Sequence, residues 1–161
     1  MGNLKSIIKR TAIVLVITML VIQFFHPAKN DNGVMNSHDI TRAYPVPDDV
    51  QKVLRRACYD CHSNSTTYPW YSKIQPVDWW LNDHVKEGKR HLNFSEFDTY
   101  SIKRKAKKLT EVAGTITDNE MPLSSYTLIH KDAILTDAEK TLVVNWARGL
   151  AAQVADTVKK L

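Results

Sequence analysis

Apolar positions fall into three patterns along this chain. Residues 11–25 read TAIVLVITMLVIQFF and carry no charge. After Thr11 only Thr18 and Gln23 break the run, whereas a core helix would show a polar face. The run therefore predicts a membrane anchor or the apolar region of an export signal. It is shorter than the roughly 20 apolar residues of a comfortable span, although snorkelling flanks extend it. Farther on, Val50, Val53, Leu54 and Ala57 follow the i, i+3, i+4, i+7 rhythm of a one-sided helix that runs into Cys58. At the other end, Leu142, Val143, Trp146, Leu150, Val154, Val158 and Leu161 form a stripe of helical period. Thr136 and Glu139 have the spacing of a capping box before it. Gly149 weakens that helix locally.

The intervening segments are read from their breakers. Residues 26–46, rich in Asn, Asp, Gly and Pro, predict a flexible linker. Pro45 and Pro47 close it, and Asp48 or Asp49 can cap the following helix. Residues 63–82 are aromatic and irregular, with Pro69 and Pro76 forbidding one long helix. A short helix is expected over residues 77–87, ended by Gly88, and another over 96–117. Alternation of β type is rare outside the N-terminus, so residues 47–161 predict one all-α domain with long loops.

Charge orients the chain. Lys5, Lys9 and Arg10 make residues 1–10 a basic region, and no acid precedes residue 31. This places the N-terminus in the cytoplasm and the domain at the periplasmic or outer face of a single-pass membrane protein. His26, Pro27 and Ala28 give no small-x-small cleavage site, and the first cysteine is Cys58, too late for lipidation. An uncleaved anchor is therefore favoured over a cleaved signal. The three basic residues leave about +2 of the net +5 for the rest, which argues against a nucleic-acid partner. Residues 103–108 hold five cations in six positions. They read first as a solvated helix face, and second as a docking face for an acidic redox partner or anionic headgroups.

The sharpest motif is Cys58-Tyr59-Asp60-Cys61-His62, a C-x-x-C-H. Two thiols at i and i+3 share one face of a helical turn and can add to the two vinyl groups of a single porphyrin. The next residue, His62, then offers its imidazole to the iron, so the motif predicts one covalent haem c. A thioredoxin-like pair would need a βαβ context, and a zinc site would need a second cysteine pair. A short disulfide in an oxidising compartment is the remaining alternative.

The second axial ligand is less determined. Met121, in Asn119-Glu120-Met121-Pro122, is preferred, because thioether ligation suits an electron carrier of raised potential. His84 is the main rival, His91 and His130 read as loop residues, and a five-coordinate iron also fits. No residue is assigned a catalytic role, so the expected protein is an electron carrier with an unidentified redox partner. A haem sensor or small peroxidase, using His84 or His91 as a polar distal group, is the alternative.

The order of helix, C-x-x-C-H, Met-Pro and terminal helix resembles class I cytochromes c. Ser63-Asn64, Tyr68-Pro69-Trp70-Tyr71, His91-Leu92-Asn93-Phe94-Ser95 and Glu120-Met121-Pro122-Leu123 are similar to the haem-binding domain family of membrane-anchored bacterial proteins. The resemblance implies a helical cytochrome c-like fold, with Cys58, Cys61, His62 and Met121 at the haem. The Trp- and Tyr-rich insertion has no counterpart in mitochondrial-type cytochromes. Its aromatic residues are expected to pack in the core, and Trp70 or Trp79 to donate an indole N–H to a haem propionate.

Overall fold

The computed structural model describes residues 2–31 and 37–159. Met35 of the expected linker and Leu161 of the terminal stripe lie outside them. The fold is all-helical, with no strand among the described residues and one isolated bridge between Asp31 and Ser65. Its helices are α1 (Gly2–Ile22), α2 (Ile40–Ala43), α3 (Asp48–Ala57), α4 (Tyr59–His62), α5 (Val77–His91), α6 (Ile102–Thr117), α7 (Ser124–Thr127) and α8 (Asp137–Lys159). 3-10 turns occupy Trp70–Lys73 and Lys131–Ala133, and two more meet at a kink at Glu96 within Phe94–Thr99.

The core forms where the periodic stripes meet. Helix α6 packs along α8, and α3 packs across both α4 and α8. Val50, Val53 and Leu54 of α3 meet Leu109, Ala113 and Ile116 of α6 and Val143, Ala147, Leu150 and Val154 of α8. Phe94 and Phe97 fill the centre, with Phe94 stacked on Tyr59 at 5.2 Å. The capping box at α8 is present: Glu139 N–H donates to Thr136 Oγ1, and Thr136 N–H donates to Glu139 Oε2.

Several elements differ from the sequence reading. Helix α3 begins with Pro47 at its N-cap, and Asp48 and Asp49 lie inside the first turn, where their charge favours the helix dipole. Helix α5 continues through Gly88 to His91. The helix expected over 96–117 is split, because Asn93 caps a 3-10 turn and Ser101 caps α6 separately. Lys105 does not join a basic outer face; it is buried against Tyr44 and paired with Asp98 at 2.5 Å. Lys107 and Lys108 share Glu111, and Arg104 lies over the Tyr100 ring. The expected core tryptophans are at the surface: Trp70 is 76% exposed, Trp80 46% and Trp79 38%.

No helix among the described residues is long and apolar enough to cross a membrane. Helix α1 stops at Ile22 rather than running to Phe25, and Lys9 and Arg10 confine its uncharged part to residues 11–22. At about 1.5 Å per residue that part is about 18 Å long, against a hydrocarbon core of about 30 Å. The stop has a cause: Gln23 turns its side chain back onto Met19 O and across to Gln75 O.

The segment after α1 is not a free linker where it is described. His26 and Lys29 both reach the buried carboxylate of Asp78, at 2.7 and 2.8 Å. The Asn30 side chain donates to Ser63 O and Thr66 Oγ1, and its N–H donates to Tyr68 Oη. Asp39 and Ile40 are buried, Asp39 accepting a bond from Tyr59 Oη.

Candidate functional site

Helix α3 breaks at Cys58, whose φ of −126° ends one helix and starts the turn α4. Cys61 and His62 N–H both donate to Cys58 O, closing that turn around the motif. Cys58, Cys61 and His62 are therefore on one helical turn. Both thiols are free and partly buried. Burial pushes Cys58 up to about 12 and Cys61 up to about 11, with the Asp60 charge adding to the second. Protonated, desolvated thiols do not make a nucleophilic redox pair.

His62 carries the most informative geometry. Its Nδ1 lies 3.0 Å from Gly88 O and 3.0 Å from Leu92 O. Both partners only accept, so Nδ1 bears the proton. Burial holds the imidazole below its usual pKa, against the opposing effect of those carbonyls. The ring is then neutral, with the Nε2 lone pair unused among the described residues. A metal-binding histidine is typically oriented in this way, by a backbone carbonyl on its other nitrogen. Phe94 meets the ring edge-on at 6.4 Å.

The surrounding chain is built to hold that ring. A Cβ at Gly88 would lie 2.7 Å from Cys61 O, so glycine lets α5 approach α4 closely enough to present its carbonyl. Leu92 is fixed by the loop behind it. Asn93 Nδ2 donates to Asn64 Oδ1, Asn64 N–H donates to Ser95 Oγ, and Asn64 Nδ2 donates to Glu96. The Ser63-Asn64 and Leu92-Asn93-Phe94-Ser95 segments thus clamp each other beside His62.

Asp60, between the cysteines, is fully engaged. Its carboxylate accepts from Tyr126 Oη at 2.7 Å and from Thr67 N–H at 3.1 Å. Burial, with Asp60 beside it, drives the Tyr126 hydroxyl well above the usual tyrosine range. Tyr126 stacks on His130 at 4.3 Å, and His130 Nε2 shares a 2.7 Å hydrogen bond with Tyr71 Oη. These groups, with Cys61, Leu81 and Val85, line a narrow crevice of about 10 Å³. A porphyrin needs far more room, so Tyr71, Tyr126 and His130 must give way wherever one is seated against Cys61. A wider cleft, of about 730 Å³ between α3 and α8, includes no motif residue.

The axial candidates separate. Met121 is partly buried on the loop after α6, its N–H donating to Thr115 O, and it does not line the crevice. Asn119, at a φ of 58°, ends α6 in the left-handed conformation and turns the chain toward it. His84 packs on Trp80 and bonds its carbonyl. His91 is exposed and paired with Glu87. His130, read from sequence as a loop residue, is the histidine beside Cys61. Trp79 donates its indole N–H to Phe25 O at 2.7 Å, so that donor is already used, and Trp70 stands exposed. The carbonyls of Gly88 and Leu92 were not legible in sequence, since backbone acceptors leave no residue signature.

As a donor set, two thiols on one turn and an iron-ready imidazole suit covalent haem. The model of a haem-binding domain family matches residues 17–149. No curated protein and no solved structure shows a significant match to the chain. With most of its length covered by that model, the chain belongs to the haem-binding domain family.

Proposed function

We propose that this protein is a membrane-attached c-type cytochrome that carries one covalent haem and transfers electrons at the periplasmic face. The observation that carries this reading is His62, neutral and oriented through Nδ1 by Gly88 O and Leu92 O, on the same turn as two free thiols. Haem, when bound, supplies a one-electron iron couple. The chain does the rest. Cys58 and Cys61 would hold the haem through thioethers, and His62 Nε2 and the Met121 thioether would donate to its iron. The carbonyls on Nδ1 raise the basicity of His62. Leu81, Val85 and Phe94 exclude water.

Attachment to the membrane is assigned to α1. Its apolar side chains from Leu4 to Leu20 stand exposed on every face, with Lys5, Lys9 and Arg10 at one end. Snorkelling of Lys9 and Arg10 and local thinning of the bilayer accommodate a short apolar stretch. The same cations orient the domain toward the periplasm.

A second reading has its own support. Tyr71 and His130 stand beside Cys61 and, once they make room for a porphyrin, would offer polar groups to a ligand of its iron, as a sensor or small peroxidase requires.

The visible spectrum tests both. The full chain, produced with a c-type maturation system, should retain haem after denaturation and lose it in C58A/C61A. A far-red sulfur-to-iron band in the oxidised protein, abolished in Met121→His, supports the carrier. Carbon monoxide binding without that band, altered in His130→Ala, supports the sensor. Absence of haem overturns both.

A further inference from the structure

Three tryptophans and an isoleucine stand exposed where α1 meets the domain. Trp70 is 76% exposed, Ile74 43%, Trp79 38% and Trp80 46%, and Phe24 and Phe25 lie exposed at the end of α1. Large aromatic residues are seldom left in water without a partner. Between Tyr68 and Asn82 the only charged residues are Lys73 and Asp78. Asp78 is buried and paired with His26 and Lys29, so within that stretch the one exposed charge is Lys73, and the nearest exposed acid along the chain is Asp83, one turn beyond Trp79 and Trp80 on α5.

This face is joined rigidly to α1. Gln75 N–H donates to Gln23 Oε1 at 2.9 Å, and Gln23 Nε2 donates to Gln75 O. Gln75 Nε2 and Trp79 Nε1 both donate to Phe25 O, each at 2.7 Å. The amide N–H groups of Gln75 and the indole N–H of Trp79 are thus spent on the junction, while the tryptophans remain exposed.

We propose that Trp70, Ile74, Trp79 and Trp80 form a lipid-contacting platform that seats the domain directly on the bilayer entered by α1. Its occupant is the headgroup–acyl boundary of that bilayer. Three observations select it. The platform is bonded to the end of α1 at Gln23 and Phe25, where Phe24 and Phe25 stand exposed and the exposed apolar surface of α1 begins. Its side chains are those that lower their free energy at a water–hydrocarbon boundary. Lys73, the one exposed charge between Tyr68 and Asn82, has the sign that anionic headgroups attract. The inference rests on the membrane attachment of α1 and adds to it that the soluble domain is not held off by a tether.

The four tryptophans of the chain supply the test, because Trp146 of α8 is an internal control away from the platform. The full-length haem protein, labelled with 5-fluorotryptophan, is placed in phosphatidylcholine–phosphatidylglycerol nanodiscs and kept ferrous. Each fluorine resonance is assigned by a single Trp→Phe variant. Trp146→Phe is mild, since its buried Nε1 has no hydrogen-bond partner to lose. A few per cent of 5-doxyl phosphatidylcholine should broaden the Trp70, Trp79 and Trp80 signals at least about twofold and leave Trp146 unchanged. If instead a soluble gadolinium chelate broadens Trp70 and Trp80 while doxyl lipid does not, the platform faces water and the proposal fails. Flotation with vesicles of the same lipids separates the premises. A chain that floats but shows no doxyl broadening retains the anchor and loses the platform. A chain that does not float loses both.

Discussion

Glycines at residue scale show how one missing side chain can be decisive in one place and costly in another. At Gly88 an added methyl meets Cys61 O at 2.7 Å, in backbone that cannot yield. Helix propensity alone would favour alanine there by about 1 kcal/mol. Overpacking wins, and Gly88→Ala should destabilise by about 1–3 kcal/mol in urea titration and lower haem retention, because it moves a carbonyl off His62. Gly114 and Gly149 have nothing within 4 Å of the same methyl. Gly149→Ala and Gly114→Ala should each stabilise by about 0.5–1 kcal/mol in the same titration. An unchanged midpoint for Gly88→Ala would mean that α5 does not need its close approach to α4.

Among elements, the reciprocal cap of α8 predicts a cost of about 1 kcal/mol for Thr136→Ala, read as a lower thermal midpoint with no change in the haem spectrum. Helix α8 was legible because its cap and its stripe state the same answer. Helix α5 was misjudged at its end: glycine signals a stop in general, but here it serves a contact with Cys61 that is remote in sequence. The split near residue 100 was hidden because Asn93 and Ser101 act through local caps that periodicity does not record. Lys105 was hidden for a third reason, since a run of cations does not say which one turns inward to Asp98. That Cys58, Cys61 and His62 share one turn was legible, because residues at i and i+3 lie on one face of a helix. The carbonyls that orient His62, and the place of His130 beside Cys61, depend on long-range packing and were not.

Across the whole molecule, the junction of α1 and the domain turns on Asp78. Burial acts to raise its pKa, but hydrogen bonds and charge from Lys29 and His26 outweigh it and hold the carboxyl below the usual carboxylate range. A carboxylate with a depressed folded pKa contributes stability in full above its unfolded value, about 4. That contribution is lost as pH falls through the lower folded value. Hydrogen exchange at residues 23–31 should therefore stay slow from neutral pH to about 4 and quicken below it. Asp78→Asn should exchange faster at every pH and lose the acid step; an acid step retained in that variant would assign it elsewhere. The clamp also governs reach. A redox group on a slack leash sweeps a volume set by leash length, and meets partners of many sizes. Here His26, Lys29 and Asn30 fasten the chain to Asp78, Ser63 and Thr66, so the motif turn keeps one bearing and one height relative to the axis of α1. For the electron carrier proposed above, that would select partners by stature: only those whose own donor or acceptor rides at the matching level would come within tunnelling distance.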